Sequence, residues 1–247
     1  VIAVGTTVVL QDVTRLLSFE ELKNNLVATV AHEFRTPLTS LHMSIHLLTE
    51  QLVGPLTEKQ SDLVYAARED CERLQRIVEE FLDLSRIQSG HLELRKTTAD
   101  IESLVRKALD AQAGNAARQA VELRCEVVPG TGHVVVDPDR IALVFSNLLA
   151  NAIRHSPGGG AVVVRAAIAE GRARFEILDR GPGVPAEFRQ AVFEKYFRVP
   201  GAPPGGAGLG LFLAREIVQA HAGEIGVESG PGGGSCFWFT LPLASSA

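Results

Sequence analysis

The stretch His32-Glu33-Phe34-Arg35-Thr36-Pro37-Leu38 lies inside a run in which Leu22, Leu26, Val30, Phe34, Leu38, Leu41, Ile45, Leu48 and Leu52 recur at steps of three and four. That spacing is the mark of a long amphipathic helix with a narrow, persistent apolar stripe. At about 100° per residue, with Val30 at the centre of the stripe, His32 falls about 160° away on the solvent face. Thr36 shares that outer face one turn later, and Glu33 stands at its flank. Pro37 removes a backbone donor one turn after the histidine and perturbs the ladder there. Working outward, Gly54-Pro55-Leu56-Thr57 interrupts the pattern, and Thr57 with Gln60 reads as a helix start of the capping-box kind. Leu63, Ala67, Leu74, Ile77, Phe81, Leu84 and Ile87 give the second helix its own stripe, ended by Ser89-Gly90. An antiparallel two-helix hairpin buries only part of two such stripes, so the expected assembly is a homodimer forming a four-helix bundle.

After Gly90 the pattern changes. Short β-branched runs (Val134 to Val136, Ala161 to Ala166, Arg174 to Leu178, Ser235 to Leu241) alternate with helical patterns (Ile101 to Ala120, Asp139 to His155, Gly210 to Ala222). This predicts an α/β sandwich following the helical hairpin, an α plus α/β chain with its boundary near Gly90. Gly158-Gly159-Gly160 and Gly230-Pro231-Gly232-Gly233-Gly234 read as turns, Pro200 to Gly206 as a mobile loop, and His221-Ala222-Gly223 as a helix end with a C-cap glycine. Val1 to Leu10, β-branched with a polar exit at Gln11-Asp12-Val13-Thr14, reads as the last strand of an upstream module. The expected organisation is therefore 1–14 as the end of that module, 15–90 as the helical hairpin and 91–247 as the α/β domain.

Composition narrows the function. The 247 residues suit one large or two ordinary domains, and 46% apolar with 21% charged residues describes a folded chain. A net charge of −5 gives no basic field for a nucleic-acid backbone, so no direct nucleic-acid partner is expected. Cys71, Cys125 and Cys236 are odd in number and form no C-x-x-C pair, which offers no zinc site and suits a reducing compartment. No run approaches the roughly 18 apolar residues of a membrane-spanning helix, so no membrane contact by these residues is expected.

Three further segments carry chemistry. In Asn147-Leu148-Leu149-Ala150-Asn151-Ala152-Ile153-Arg154-His155-Ser156, Asn147, Asn151 and His155 share roughly one face of one helix. Two amides on an otherwise apolar helix are costly to bury unpaired, which points to a ligand. Asp179-Arg180-Gly181-Pro182-Gly183 follows the apolar run Phe175 to Leu178, placing a carboxylate at a strand end before a glycine turn. Gly206-Ala207-Gly208-Leu209-Gly210-Leu211 opens a helix, where backbone N–H groups can meet phosphates. It is neither a Rossmann fingerprint nor a P-loop, because no strand precedes it and no Gly-Lys-Ser/Thr follows.

In this order, the heptapeptide and these segments resemble the phosphoacceptor and ATP-binding boxes of bacterial sensor histidine kinases. The ATP-binding fold of that family, the Bergerat or GHKL type, is shared with Hsp90, gyrase B and MutL ATPases. The resemblance covers about Leu16 to Pro242 and implies Mg²⁺-ATP as cofactor. His32 would accept the γ-phosphoryl and pass it to an aspartate on a response regulator receiver domain. A neutral imidazole has one bare nitrogen for attack, and Glu33 on the other N–H would fix the tautomer. The resemblance gives Thr36 the orientation of a water that dephosphorylates the regulator, which would make the chain kinase and phosphatase. It gives Asn151 the Mg²⁺, Asn147 that ion's shell, Arg154 and His155 phosphate and ribose, and Asp179 the adenine amino group. Arg154 stands where the family often has lysine, keeping the charge with a planar fork. Gly181 and Gly183 would let backbone approach the base. Gly206, Gly208, Leu209, Gly210 and Leu211 would line the nucleotide. Phe193-Glu194-Lys195-Tyr196-Phe197-Arg198 resembles the family's phenylalanine box, with Lys195 at the nucleotide and Arg198 bracing the γ-phosphate. Pro200 to Gly205 would be the lid. Residues 1–14 resemble the closing strand of a PAS sensor, and the implied setting is the cytoplasmic portion of an inner-membrane-anchored sensor. The competing readings are a phosphatase-dominant or pseudokinase dimeric scaffold, or a mechanical ATPase, which would carry a glutamate where Asn147 stands.

Overall fold

The computed structural model describes Phe34 and residues 37–88, 94–128, 130–201 and 208–244. The chain divides into two compact units, Val1–His91 and Leu92–Ala247. His32, Glu33, Thr36 and Gly206 lie outside the described residues, as does the whole 1–14 segment.

In the first unit, helix α1 covers residues 37–49 and α2 runs Glu58–Gln88. Gln60 Oε1 accepts the Thr57 backbone N–H at 2.9 Å and the Gln60 N–H reaches Thr57 Oγ1 at 3.4 Å, the two halves of the capping box. The stripe read through Leu52 ends sooner: α1 stops at residue 49, Gln51 takes a left-handed backbone (φ 54°), and Leu52 lies in the turn. Ile45 and Cys71 are buried, and the Cys71 thiol donates to the Leu38 carbonyl at 3.7 Å. Leu41, Leu63 and Leu74 remain exposed within a single chain.

The second unit is a mixed sheet with three helices. Strands β2 (Glu122–Val127), β4 (Ala161–Ala169), β5 (Arg172–Leu178), β7 (Ser235–Pro242) and β6 (Ile225–Ser229) lie in that spatial order. β2 runs parallel to β4 and every other pairing is antiparallel. β1 (Thr97–Asp100) and β3 (His133–Val136) form a separate antiparallel pair. Alternation along β5 buries Ala173, Phe175 and Ile177 on one face. Helices α3 (Ile101–Arg118), α4 (Pro138–His155) and α5 (Gly210–Ala220) pack against the sheet. Phe145 of α4 meets the edges of Phe175 and Phe239, whose rings stack at 4.7 Å.

β1, β2 and β6 went unread because their residues lack an apolar run: Glu122-Leu-Arg-Cys-Glu-Val alternates charge with small hydrophobes. The end of α5 also differs from expectation. The left-handed residue is Ala222 (φ 55°), with Gly223 beyond it. Gly223 is needed for room, since a Cβ there would collide with the Thr240 carbonyl oxygen. Among the described residues no helix is long and apolar enough to cross a membrane.

Candidate nucleotide site

α4 owes its start to Asp137, whose carboxylate accepts the N–H groups of Asp139 and Arg140 at 3.2 Å, with Pro138 in the first turn. Its inward stripe of Ile141, Val144, Phe145, Leu148, Leu149, Ala152 and Ile153 is fully packed. This fixes the rotation that sets Asn147 and Asn151 on the flank. Asn147 Nδ2 is buried and has no hydrogen-bond partner. Its Oδ1 lies 2.8 Å from where a Cβ on Gly210 would stand, so a larger residue there would push this amide aside. α3 and α4 are capped by aspartates, whereas Leu209 at the N-cap of α5 offers no side-chain cap. A helix start without a side-chain cap is one at which backbone N–H groups can meet an anion. Asn151 Oδ1 accepts from the Arg154 guanidinium at 2.7 Å.

Asp179, at the end of β5, is buried. The N–H groups of Gly181 (2.8 Å) and Ser235 (3.0 Å) both donate to Oδ1 and neither to Oδ2, and the Ser235 hydroxyl also hydrogen-bonds the carboxylate. Burial pushes this carboxyl up, against those two bonds and the nearby His155. Gly181 has its Cβ position 2.6 Å from the His155 carbonyl oxygen, so the turn is pressed against the end of α4. Gly183 takes φ +79° and faces the carbonyl of Gly234. The 230–234 turn and Ser235, read from sequence only as a turn and a strand start, supply part of the carboxylate's cradle.

His155 is half-buried, and burial, then the adjacent Arg154 charge, lower its pKa. Lys195 is exposed, with Nζ 4.8 Å from the centre of the Phe212 ring, and Arg198 is exposed. Leu211 is partly exposed one residue into α5. Gly208 (φ +73°) closes the base of the loop that carries Pro200: the Tyr196 N–H donates to its carbonyl at 3.0 Å, and its Cβ position lies 2.9 Å from the Tyr196 carbonyl carbon.

Oxygen-donor amides suit Mg²⁺, which takes few protein ligands and completes its shell with phosphates and water. Among the described residues no group of three or more His, Cys, Asp or Glu could hold a metal alone. On the flank of α4 the oxygens suited to such an ion are Asn147 Oδ1, facing Gly210, and Asn151 Oδ1, which accepts from Arg154.

His155 and His221 both have lowered pKa values, burial being the first cause in each. The unfolded chain therefore binds more protons than the folded one as pH falls through about 6.5. Asp179 acts in the opposite sense nearer the ordinary carboxylate range. We expect the unfolding midpoint of the second unit to fall between about pH 7.5 and about pH 5.5, measured by circular dichroism. A midpoint that rises over that interval would contradict these assignments.

Two family models match the chain. The model for the His Kinase A (phospho-acceptor) domain matches residues 22–90, and that for the histidine kinase-, DNA gyrase B- and HSP90-like ATPase matches residues 136–245. The alginate biosynthesis sensor protein KinB of Pseudomonas aeruginosa is 34% identical over 98% of this chain and 40% of its own length. The sensor protein kinase WalK of Staphylococcus epidermidis is 33% identical over 96% of this chain and 39% of its own. The chain thus spans about two fifths of the length of these relatives. Among solved structures, full-length ShkA in complex with AMPPNP aligns with TM-score 0.74 at 31% identity, over 90% of this chain and 46% of that one. The mycobacterial sensor histidine kinase MprB aligns with TM-score 0.54 at 30% identity, over 60% of this chain and 97% of that one.

Proposed function

The chain belongs to the bacterial sensor histidine kinases, and on that premise we propose that it is the kinase core of a two-component system that phosphorylates its own His32 from ATP. The observation that carries the reading is Asn147: a buried amide whose nitrogen has no partner and whose oxygen faces Gly210 at the start of α5.

In this reading residues 15–90 dimerise and carry the phosphoacceptor, residues 91–247 bind ATP, and residues 1–14 end a PAS-like sensor module. Asp179 Oδ2 accepts from the adenine amino group while Gly181 and Gly183 give the base room. Asn147 and Asn151 would hold Mg²⁺, which would offset charge on the phosphates. The free N–H groups of α5 meet phosphate, with Gly206, Gly208, Leu209 and Leu211 around them. Arg154, His155, Lys195 and Arg198 add contacts to phosphate and ribose, Arg198 at the γ-phosphate. The bare ring nitrogen of His32 attacks the γ-phosphorus. The bond to the β–γ bridging oxygen breaks, ADP leaves, and the imidazole proton passes toward Glu33. A response regulator aspartate then takes the phosphoryl group, and Thr36 orients the water that removes it. ATP as donor sets the fragment on the cytoplasmic side, with any membrane anchor elsewhere in the protein.

Incubation with γ-labelled ATP and Mg²⁺ tests this. We expect acid-labile, base-stable label on the native chain, none on His32→Gln or Asn151→Ala, and retained label on Thr36→Ala. Label that survives Asn151→Ala would remove the nucleotide site from the reading.

A further inference from the structure

His221 is buried, its ring enclosed where α5 ends. Nδ1 lies 2.8 Å from the Ile217 carbonyl and Nε2 lies 3.0 Å from the Asp137 backbone nitrogen. Since that nitrogen can only donate, Nε2 must accept, and the ring is neutral with its hydrogen on Nδ1. Burial lowers its pKa, joined by the Lys96 charge, against the Ile217 hydrogen bond and the Asp137 charge.

The bond joins the start of one helix to the end of its antiparallel neighbour. Asp137 caps the N-terminus of α4, and His221 caps the C-terminus of α5. Ten residues along α4 from Asp137 stands Asn147, and eleven residues back along α5 from His221 stands Gly210. At about 1.5 Å per residue, the two contacts are some 15 Å apart on an antiparallel pair. One end holds the unpartnered amide against the uncapped helix start, and the other is pinned by the imidazole. The pin is anchored on the Asp137 side. That carboxylate accepts from Asp139, Arg140 and, at 2.9 Å, the backbone N–H of Arg95, so the start of α4 cannot drift freely.

We propose that His221 is a positioning residue for the nucleotide site, whose acceptor nitrogen holds α4 and α5 at the separation that sets Asn147 against Gly210. The inference rests on the nucleotide reading above. Without the acceptor, the Asp137 N–H is buried unpaired and the helices move to let it reach water. That movement is carried along two stiff rods to the amide.

The test compares His221→Leu, which removes the acceptor, with His221→Gln, whose Oε1 can take the Asp137 N–H. The Ile217 carbonyl keeps the backbone N–H of residue 221 at 3.2 Å in either variant. Mg²⁺-ATP affinity is measured by calorimetry at a temperature where circular dichroism shows each chain folded. We expect His221→Leu to weaken binding about tenfold and His221→Gln to stay within about threefold of native. Native-like affinity in His221→Leu, whatever its unfolding midpoint, overturns the inference, as does a glutamine variant as weak as the leucine one. Should His221→Leu not fold, His221→Phe supplies the comparison, keeping a planar ring but offering no acceptor to the Asp137 N–H. It is expected to weaken binding by the same factor, and native-like affinity in it overturns the inference. A native chain that binds no ATP overturns the nucleotide reading and this inference together; binding that His221→Leu leaves untouched overturns the inference alone.

Discussion

Asp179→Asn is expected to weaken ATP binding at least about a hundredfold while leaving the fold in place. The two oxygens of this buried carboxylate do different work. Oδ1 accepts from Gly181 and Ser235, and an asparagine oxygen takes over both bonds. Oδ2 becomes an amide nitrogen, which presents a donor where the adenine amino group is also a donor. The mismatch sits in a site with little water to relieve it, which is where a hydrogen-bonding error is most costly. Isothermal calorimetry gives the affinity and thermal unfolding gives the stability. Loss of both together would mean that the carboxylate is structural, and unchanged affinity would remove Asp179 from the site.

The second large effect is expected at Gly234, a residue that makes no contact with a nucleotide in this reading. Its φ is +78°, and a Cβ there would fall on the carbonyl oxygen of Asp179, with the carbonyl carbon at 2.8 Å and the Arg180 Cα at 3.0 Å. The obstacle is backbone, so no side-chain rotation relieves it. Relief requires parting the chain where the Asp179 N–H donates to the Ser235 carbonyl at 2.9 Å. Gly234→Ala should therefore cost about 3 kcal/mol or more, combining a left-handed backbone with overpacking. Unlike Asp179→Asn, it should lower both the unfolding midpoint and ATP affinity. A Gly234→Ala chain with native stability would contradict the close approach of these two turns.

These two sites show what could be read from residues alone. The place of Asp179 at a strand end was legible because an apolar run precedes it and a glycine turn follows, a local pattern, whereas its part in a site comes only from the family resemblance. The packed stripe of α4 and the Thr57–Gln60 cap were legible for the same reason, each being a relation among residues a few positions apart. Gly234 and Ser235 were not legible as parts of the carboxylate's cradle, because their partner is 56 residues away and nothing in a glycine-rich turn names it. His221 is further removed still, 84 residues from the Asp137 N–H it accepts. Its reading as an ordinary helix end was right about the backbone and silent about the ring. Ala222 is the reverse case: the neighbouring Gly223 suggests itself as the left-handed residue, and the alanine adopts that backbone instead. β2 escaped because an alternation of charged and small apolar residues becomes a strand only through its pairing with β4.

The central claim is that one imidazole receives the phosphoryl group, and the chain holds seven histidines among which to find it. The most direct test incubates the native chain with Mg²⁺-ATP and locates the added group by mass spectrometry of base-stabilised peptides. The account predicts phosphate on His32 and on no other histidine, and none anywhere in Asp179→Asn at the same ATP concentration. Phosphate on His42, His46 or His155, on a hydroxyl side chain, or persisting after His32→Gln would contradict it.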